Sequence, residues 1–226
     1  MIKIENISKK VRMKRILHDC NAELRIGRII GIAGENGCGK TTLVKLLAGI
    51  LKPTHGKITM NNNKDRSSVV AFSPDSEYFY PCFTIKQLIE FYHSQFKDFD
   101  ENKAEQMADF FQLDKSEKIK YLSKGQLGRV KIVVTLSRKV PFLILDEPLA
   151  GLDPIVKQKI IKSIIQFVNL DEQTLLLTTH ELLEIEPLLD EIIVMKNGSI
   201  IEQMDVEDIR TNKELGLQDW MEEIYI

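Results

Sequence analysis

The sequence predicts an α/β fold whose central sheet is mainly parallel. Apolar or alternating runs typical of strands are interleaved with stretches at helical spacing, which favours parallel strands joined by helical crossovers. The run "RIIGIAG", residues 28–34, is almost continuously apolar and ends in glycine, as expected for a strand buried on both faces. Residues 84–137 are rich in Lys, Glu, Gln, Phe and Leu without a strand pattern, which indicates an inserted helical segment.

The elements are predicted in the following order. Two alternating strands, "IKIENI" and "CNAELRI", precede the buried strand at residues 28–34, and a helix over residues 40–48 follows it. After the strands "GKITM" and "SVVAF" comes the helical segment, and "PFLILDEP" returns to a buried strand. The last part contains a helix over about 154–168, the strands "QTLLLTTH", "EIIVMKNG" and "SIIEQ", and a packing helix with Trp220 and Ile224 at i, i+4.

The composition restricts the class of protein. The chain has 226 residues, of which 43% are apolar and 28% charged, which is typical of one globular domain with or without a small lobe. Lys plus Arg number 31 and Asp plus Glu 33, so no surface for nucleic acid is expected. Cys20, Cys38 and Cys82 show no paired spacing, which favours a reducing compartment. No signal-peptide pattern opens the chain and no apolar run reaches about 20 residues, so any membrane-spanning part is expected in another chain.

The segment "GENGCGKTT", residues 34–42, fits the phosphate-binding pattern G-x-x-x-x-G-K-[ST], in the required context between a buried strand and a helix. Lys40 is predicted to meet the β- and γ-phosphates of a nucleotide, and the Thr41 hydroxyl to bind Mg²⁺. The alternative is a glycine-rich turn without a ligand, and the Cys38 side chain is expected to be a small buried filler. The predicted nucleotide-binding residues of this loop are Gly34, Asn36, Gly37, Cys38, Gly39, Lys40, Thr41 and Thr42.

Two adjacent carboxylates, Asp146 and Glu147, follow the apolar strand of "FLILDEP". The carboxyl ends of parallel strands are where ligands bind. Asp146 therefore suits the Mg²⁺ shell, directly or through water, and Glu147 suits a general base that polarises an attacking water. The alternative is a solvated strand end, which the phosphate-binding loop makes the weaker interpretation.

A third candidate site lies in "YLSKGQLGRVKI", residues 121–132. Ser123 is a typical N-cap, and the apolar residues after it give the following helix a packing face, so the simplest interpretation is a capped amphipathic helix. Gly125, at the second helical position, leaves backbone amides bare at the positive end of that helix. This arrangement favours an anion site.

Together these segments resemble those of the ATP-binding cassette (ABC) ATPase family. "GENGCGKTT", "LSKGQ", "LILDEP", "LAGLD" and "TTH" have the order and rough spacing of its Walker A, signature, Walker B, D-loop and H-loop motifs, over essentially the whole chain. The resemblance implies a RecA-like P-loop NTPase core with a parallel central sheet, an N-terminal antiparallel β subdomain and an inserted helical subdomain. The core would comprise about residues 1–75 and 138–226, and the helical subdomain about 76–137.

The resemblance also implies ATP and Mg²⁺ as ligands and roles for further residues. Ser123 and Gly125 would hold the γ-phosphate of ATP bound to the opposite subunit, with Gln126 in the same nucleotide-binding motif. His180 would be a second catalytic residue in contact with the γ-phosphate. Asp153 would lie in the D-loop at the dimer interface.

Three positions depart from the family pattern. Lys124 replaces a glycine that is common in the signature, but the serine and the final Gly-Gln remain, so phosphate binding is expected to persist. Asp75 stands where the family has the Q-loop glutamine, and it is either a further Mg²⁺ ligand or a turn residue after proline. Val11 stands near the position of an aromatic residue that stacks on adenine in the family, so weak adenine stacking is expected.

The predicted function is that of an ATP-hydrolysing subunit that powers transport of an unidentified substrate through a separate transmembrane permease. It would form an ATP-sandwich dimer with a second ABC ATPase chain, identical or different, in the cytoplasm at the inner face of the cell membrane. One alternative is a soluble ABC ATPase that acts on ribosomes or nucleic acid, which the single cassette and the lack of a basic patch disfavour. The other is a weakly hydrolysing nucleotide-sensing subunit, against which Glu147 argues, while Val11 and Asp75 leave it open.

Overall fold

A computed structural model of the chain describes residues 1–60, 65–76, 78–180, 182–212 and 216–225. The predicted strands and helices are confirmed within these ranges, while the short helices over residues 182–185 and 206–212 were not predicted. Residues 213–215 and 226 of the predicted tail lie outside the described residues. The strands are β1 (Ile2–Val11), β2 (Lys14–Leu24), β3 (Ile29–Gly34), β4 (His55–Met60), β5 (Val70–Ser73), β6 (Phe142–Leu145), β7 (Thr174–Thr179), β8 (Glu191–Lys196) and β9 (Ser199–Asp205). The helices are α1 (Lys40–Leu47), α2 (Ile85–Gln95), α3 (Glu101–Phe110), α4 (Lys124–Leu136), α5 (Pro154–Phe167), α6 (Leu182–Ile185), α7 (Val206–Asn212) and α8 (Leu217–Tyr225).

The central sheet has the strand order β5–β6–β7–β3–β8–β9. Its neighbours pair in parallel, except that β9 is antiparallel to β8. Every residue of β3, β6 and β7 is buried, and successive residues of β3 belong to different apolar clusters, Ile29 and Ala33 to one and Ile30 and Ile32 to the other. The sheet is therefore covered on both faces, which explains the continuous apolar runs. The predicted α/β class is confirmed.

A second sheet, in the order β2–β1–β4, is antiparallel throughout. Its strands alternate because only one side faces the core, where Ile2, Ile4 and Ile7 of β1 are buried. The turn between β1 and β2 includes Arg12, whose φ of 55° is left-handed. This sheet is the predicted N-terminal antiparallel β part.

The predicted helical insertion lies between β5 and β6 and comprises α2, α3 and α4. Thr84 and Ser123 cap α2 and α4 with reciprocal hydrogen bonds to Gln87 and Gln126. Apolar residues of these helices share one continuous core with α5 and one face of the central sheet. We propose about 76–137 as the helical subdomain, because α2–α4 fall inside these bounds and all named strands fall in the remaining core.

The C-terminal helix α8 packs onto the same core. Trp220 is fully buried and Ile224 is half-buried against it, as their spacing predicted. Among the described residues, no helix is both long and apolar enough to cross a lipid bilayer.

The side chain of Arg138 links the end of the helical insertion to the segment before β5. It is 4% exposed, forms an ion pair with Asp98, and donates to the Ser67 carbonyl oxygen at 2.6 Å. Its guanidinium carbon lies 3.6 Å from the centroid of the Phe96 ring. A buried cation with these partners is costly to replace because its carboxylate partner would remain unpaired.

We expect Arg138→Ala to lower the free energy of unfolding by about 3 kcal/mol, since it leaves Asp98 without its cation and removes the stacking on Phe96. Urea denaturation followed by circular dichroism measures the loss. The matched control is Lys139→Ala, because Lys139 forms an exposed ion pair with Asp100 that is worth about 1 kcal/mol or less. Equal losses in the two variants would contradict this assignment.

Candidate functional site

Residues 34–42 form a loop from the carboxyl end of β3 into α1. Gly39, immediately before the first helical residue, has a φ of 110°, and a Cβ on it would lie 2.6 Å from the Leu17 side chain. Only glycine satisfies both conditions. Within the described part of the chain no side chain caps the start of α1, so the backbone amides at its positive end can bind an anion.

The loop borders a cleft with a volume of 370 Å³. Predicted residues from four segments line it: Asn36, Gly37, Gly39, Lys40, Thr41 and Thr42 from the loop, and Asp75, Glu147 and His180 from the ends of β5, β6 and β7. Gly34 and Cys38 do not line it. Burial raises the pKa of the Cys38 thiol, and its side chain belongs to the apolar cluster under the loop, which agrees with a buried filler.

Lys40 points back over its own loop. Its ammonium donates to the carbonyl oxygen of Gly34 at 2.7 Å and lies 3.5 Å from Oε1 of Glu147. The side chain is buried, so these contacts replace the water that a lysine normally keeps. A phosphate oxygen entering the cleft would meet a cation that is already desolvated and positioned.

Asp146 follows the last residue of β6 and is buried, and it lines a 230 Å³ cavity near Lys124 rather than the 370 Å³ cleft. Its Oδ1 accepts hydrogen bonds from the hydroxyl groups of Thr178 at 2.8 Å and Thr41 at 3.1 Å. Its Oδ2 is buried and accepts no hydrogen bond from the residues that the structure describes. Burial raises the pKa of Asp146, against the two hydrogen bonds that lower it, and the charge of Asp75 raises it further.

These atoms fit a divalent cation. An unpartnered buried carboxylate oxygen beside a threonine hydroxyl is an oxygen pair of the kind that Mg²⁺ prefers. Among the described residues, no three or more His, Cys, Asp or Glu side chains form a metal-binding group. Mg²⁺ here would therefore take its other ligands from phosphate oxygens and water.

Glu147 and His180 form a pair in the lining of the cleft. Nδ1 of His180 lies 2.9 Å from Oε2 of Glu147. The backbone of Glu147 has a φ of 49°, a left-handed conformation that costs a non-glycine residue about 1–3 kcal/mol and is concentrated at functional sites. Its N–H donates to the Thr178 hydroxyl at 2.8 Å, which helps to hold this conformation.

Thr178, Ile16 and Lys131 were not predicted as site residues. Thr178 connects the two carboxylate residues, and its place directly after the apolar run of β7 was the signal that could have indicated it. Ile16 of β2 lines the cleft, and nothing in its alternating strand indicated this. Lys131 of α4 donates to the carbonyl oxygens of residues 74–76, and its sequence context gave no indication.

The signature residues lie apart from this cleft. The Ser123 hydroxyl accepts from the backbone N–H of Gln126 at 3.2 Å, and the Gln126 side chain accepts from the N–H of Ser123 at 2.8 Å. Ser123, Gly125 and Gln126 do not line the cleft that contains Lys40. The start of α4 is exposed at Ser123 and Lys124.

Two further predicted positions have local roles. Asp153 caps α5, because its Oδ1 accepts from the N–H of Val156 at 3.0 Å. The ammonium of Lys124 lies 2.4 Å from where a Cβ on Gly151 would be, so it reaches toward the D-loop turn. Lys124 also lines the 230 Å³ cavity, together with Asp75 and Glu147.

Comparisons with known proteins agree with this geometry. A family profile described as "ABC transporter" matches residues 17–150. An uncharacterized ABC transporter ATP-binding protein of Methanocaldococcus jannaschii is 30% identical over 215 residues, which cover 92% of this chain and 79% of the relative. The solved structure of an ATP-binding subunit of an ABC transporter matches with a TM-score of 0.88 at 22% identity, over 100% of both chains. A dimeric ATP-binding cassette in a post-hydrolysis state, bound to ADP and Pi, matches with a TM-score of 0.80 at 22% identity, over 91% of this chain and 98% of that one.

The doubly covered parallel sheet, the glycine-rich loop before α1 and the carboxylates at the sheet edge define a P-loop NTPase fold. The chain belongs to the ABC transporter family, in the class of its ATPase nucleotide-binding subunits. The resemblance found in the sequence is thereby confirmed.

Proposed function

We propose that the chain binds ATP with Mg²⁺ in the 370 Å³ cleft and that its hydrolysis drives a separate transmembrane permease. The observation that carries the proposal is the convergence of an ammonium, a threonine hydroxyl, two carboxylates and an imidazole at one edge of the sheet. These groups belong to Lys40, Thr41, Asp146, Glu147 and His180, which come from three separate segments.

The loop residues would bind the triphosphate. The amides at the start of α1 and the Lys40 ammonium would hold the β- and γ-phosphates, and Lys40 would exchange its contacts to Gly34 and Glu147 for phosphate oxygens. Thr41 and Asp146 would hold Mg²⁺, which when bound neutralises charge on the phosphate oxygens.

Glu147 is the proposed general base. Its carboxylate would take a proton from the attacking water while the water oxygen bonds to the γ-phosphorus and the bond to the β–γ bridging oxygen breaks. His180, 2.9 Å from the same carboxylate, would orient it and contact the γ-phosphate from the end of β7. Release of Glu147 from Lys40 on phosphate binding would free the carboxylate for this step.

The signature is the proposed site for a second chain's ATP. Ser123, Gly125 and Gln126 sit at an exposed helix start outside the chain's own cleft, so the phosphate they hold would belong to a partner cassette. Asp153 would lie beside that partner in the D-loop. The dimeric cassette with the same fold supports this arrangement. The partner cassette is either a second copy of this chain or a different one.

The proposed location is the cytoplasmic face of the cell membrane, beside a permease that supplies the membrane spans. The family assignment supports this proposal. It makes a soluble ABC ATPase unlinked to transport the less favoured alternative. A neighbouring reading frame with apolar segments of about 20 residues each would support the permease.

The proposal is tested by phosphate release from MgATP. We expect the purified chain to hydrolyse ATP and Lys40→Ala to raise the Kd for MgATP about tenfold or more, since a charge-assisted bond is worth about 1.5–3 kcal/mol. The matched control is Lys52→Ala, because Lys52 is exposed and lies outside the cleft. If the wild-type protein released phosphate no faster than a Lys40→Ala preparation, the proposed activity would be contradicted.

We further propose that Asp75 contributes to the Mg²⁺ side of the cleft, since it lines the cleft with Thr41 and its charge acts on Asp146. Asp75→Asn removes one negative charge, so half-maximal hydrolysis should require more Mg²⁺. A Mg²⁺ titration at fixed ATP measures the shift, and Asp65→Asn, on a segment outside the cleft, is the control. An unchanged titration would leave Asp75 as a turn residue.

A further inference from the structure

One lysine of helix α4 connects that helix to the segment after β5. The ammonium of Lys131 donates to three consecutive carbonyl oxygens, those of Pro74 at 3.1 Å, Asp75 at 2.6 Å and Ser76 at 2.9 Å. The same ammonium lies 5.8 Å from the centroid of the Tyr78 ring. Three carbonyl oxygens turn toward one cation only if the backbone curls around it, so these contacts define the conformation of residues 74–76.

That curled segment presents Asp75 to the nucleotide cleft. While its carbonyl oxygen binds Lys131, the Asp75 residue lines the cleft together with Lys40 and Thr41. Asp75 and Asp146 also both line the 230 Å³ cavity. The position of the Asp75 carboxylate relative to Thr41 and Asp146 therefore depends on the backbone that Lys131 holds.

The same lysine belongs to the helix that begins at the signature. Lys131 lies eight residues after Ser123 in the sequence, which is about 12 Å along a helix axis. Residues 74–76 are thus attached to the middle of the helix whose N-terminus carries the signature. Because these hydrogen bonds join the two elements, a displacement of residues 74–76 would act on α4, and a displacement of α4 would act on residues 74–76.

We propose that Lys131 is a positioning residue for hydrolysis, which fixes the Asp75 carboxylate at the Mg²⁺ side of the cleft by holding the carbonyl oxygens of residues 74–76. This inference rests on the proposed function and assigns a role to a residue that does not line the 370 Å³ cleft but lines the 230 Å³ cavity together with Asp75. Asp75 and Ser76 are exposed, so the contacts order a surface segment and contribute little to the core.

A double-mutant cycle of Lys131→Met and Asp75→Asn tests the inference. The measured quantity is the Mg²⁺ concentration for half-maximal binding of a fluorescent ATP analogue, which does not depend on turnover. Each single variant should raise it about threefold or more, and the double variant should raise it no further than the larger single effect, since both act through one carboxylate. Shifts that multiply in the double variant, or no shift in Lys131→Met, would overturn the inference.

Matched variants separate this outcome from other causes. Lys86→Met removes an exposed lysine of α2 that pairs with Glu90, and it should leave the Mg²⁺ dependence unchanged. If Lys131→Met does not fold, judged by thermal unfolding, Lys131→Gln replaces it in the cycle with the same expected non-additivity. If the wild-type protein did not bind the ATP analogue, the proposed function would be overturned. If the wild type bound it and Lys131→Met had the same Mg²⁺ dependence as the wild type, only this inference would be overturned.

Discussion

Glu147→Gln should retain MgATP binding and lose about 10²–10⁴-fold in kcat, the effect of removing a general base. The amide has nearly the shape of the carboxylate, so it can remain near Lys40 and His180, but it cannot accept the proton of an attacking water. Phosphate release at saturating MgATP measures kcat, and a fluorescent ATP analogue measures binding.

The control for this variant is a neighbouring carboxylate outside the cleft. Glu184 pairs with Lys157 at 2.8 Å, and Glu184→Gln should hydrolyse ATP at the wild-type rate. If Glu147→Gln retained turnover within about twofold of wild type, Glu147 would not be the general base. Loss of ATP binding in Glu147→Gln would instead assign the carboxylate to nucleotide binding.

The second large effect is expected at the start of α4. In the Glu147→Gln background, Ser123→Asp should abolish ATP-dependent dimerisation while the monomer still binds ATP. Aspartate is as good an N-cap as serine, so α4 should remain capped. Its negative charge, however, would oppose a γ-phosphate that approaches the exposed helix start. Loss of charge-assisted bonds worth about 1.5–3 kcal/mol each at two symmetric sites is enough to dissociate a weak dimer.

Gel filtration with light scattering measures this effect, and two comparisons define it. Ser123→Arg, which blocks the helix start by bulk, should give the same monomer. Ser94→Asp places the same charge on an exposed part of α2 and should leave dimerisation intact. The double variant Ser123→Asp, Glu147→Gln is compared with the single variant Glu147→Gln. If both dimerised equally with MgATP, the signature would not hold the partner's phosphate.

The strands of the central sheet could be predicted because burial on both faces demands apolar residues at every position. β3, β6 and β7 meet this condition along their whole length, and their sequences show it without alignment. The strand order could not be predicted in the same way. β3 lies between β7 and β8, which follow it by well over a hundred residues, and no local pattern specifies which distant strands will pair.

The residues of the site differ in the same way: some could be predicted from local sequence patterns and others could not. Lys40, Thr41 and Glu147 follow from motifs because a loop of fixed backbone geometry and a strand end place them on one sheet edge. Thr178 and Lys131 act through hydrogen bonds to segments far away in the sequence, so their roles emerge only in the folded chain. Lys124 illustrates the limit, since no local pattern indicated that its ammonium reaches toward Gly151 of the D-loop.

The central claim is that the signature of one chain completes the ATP site of another, and the mass of Glu147→Gln in solution tests it most directly. Light scattering coupled to gel filtration should give the mass of one chain, 26.0 kDa, without nucleotide and twice that mass with MgATP. Slow turnover in this variant keeps ATP in place during the measurement. A protein that binds MgATP and yet elutes with the mass of one chain at every concentration would contradict the homodimeric form of the account. The search for a different partner cassette would then follow.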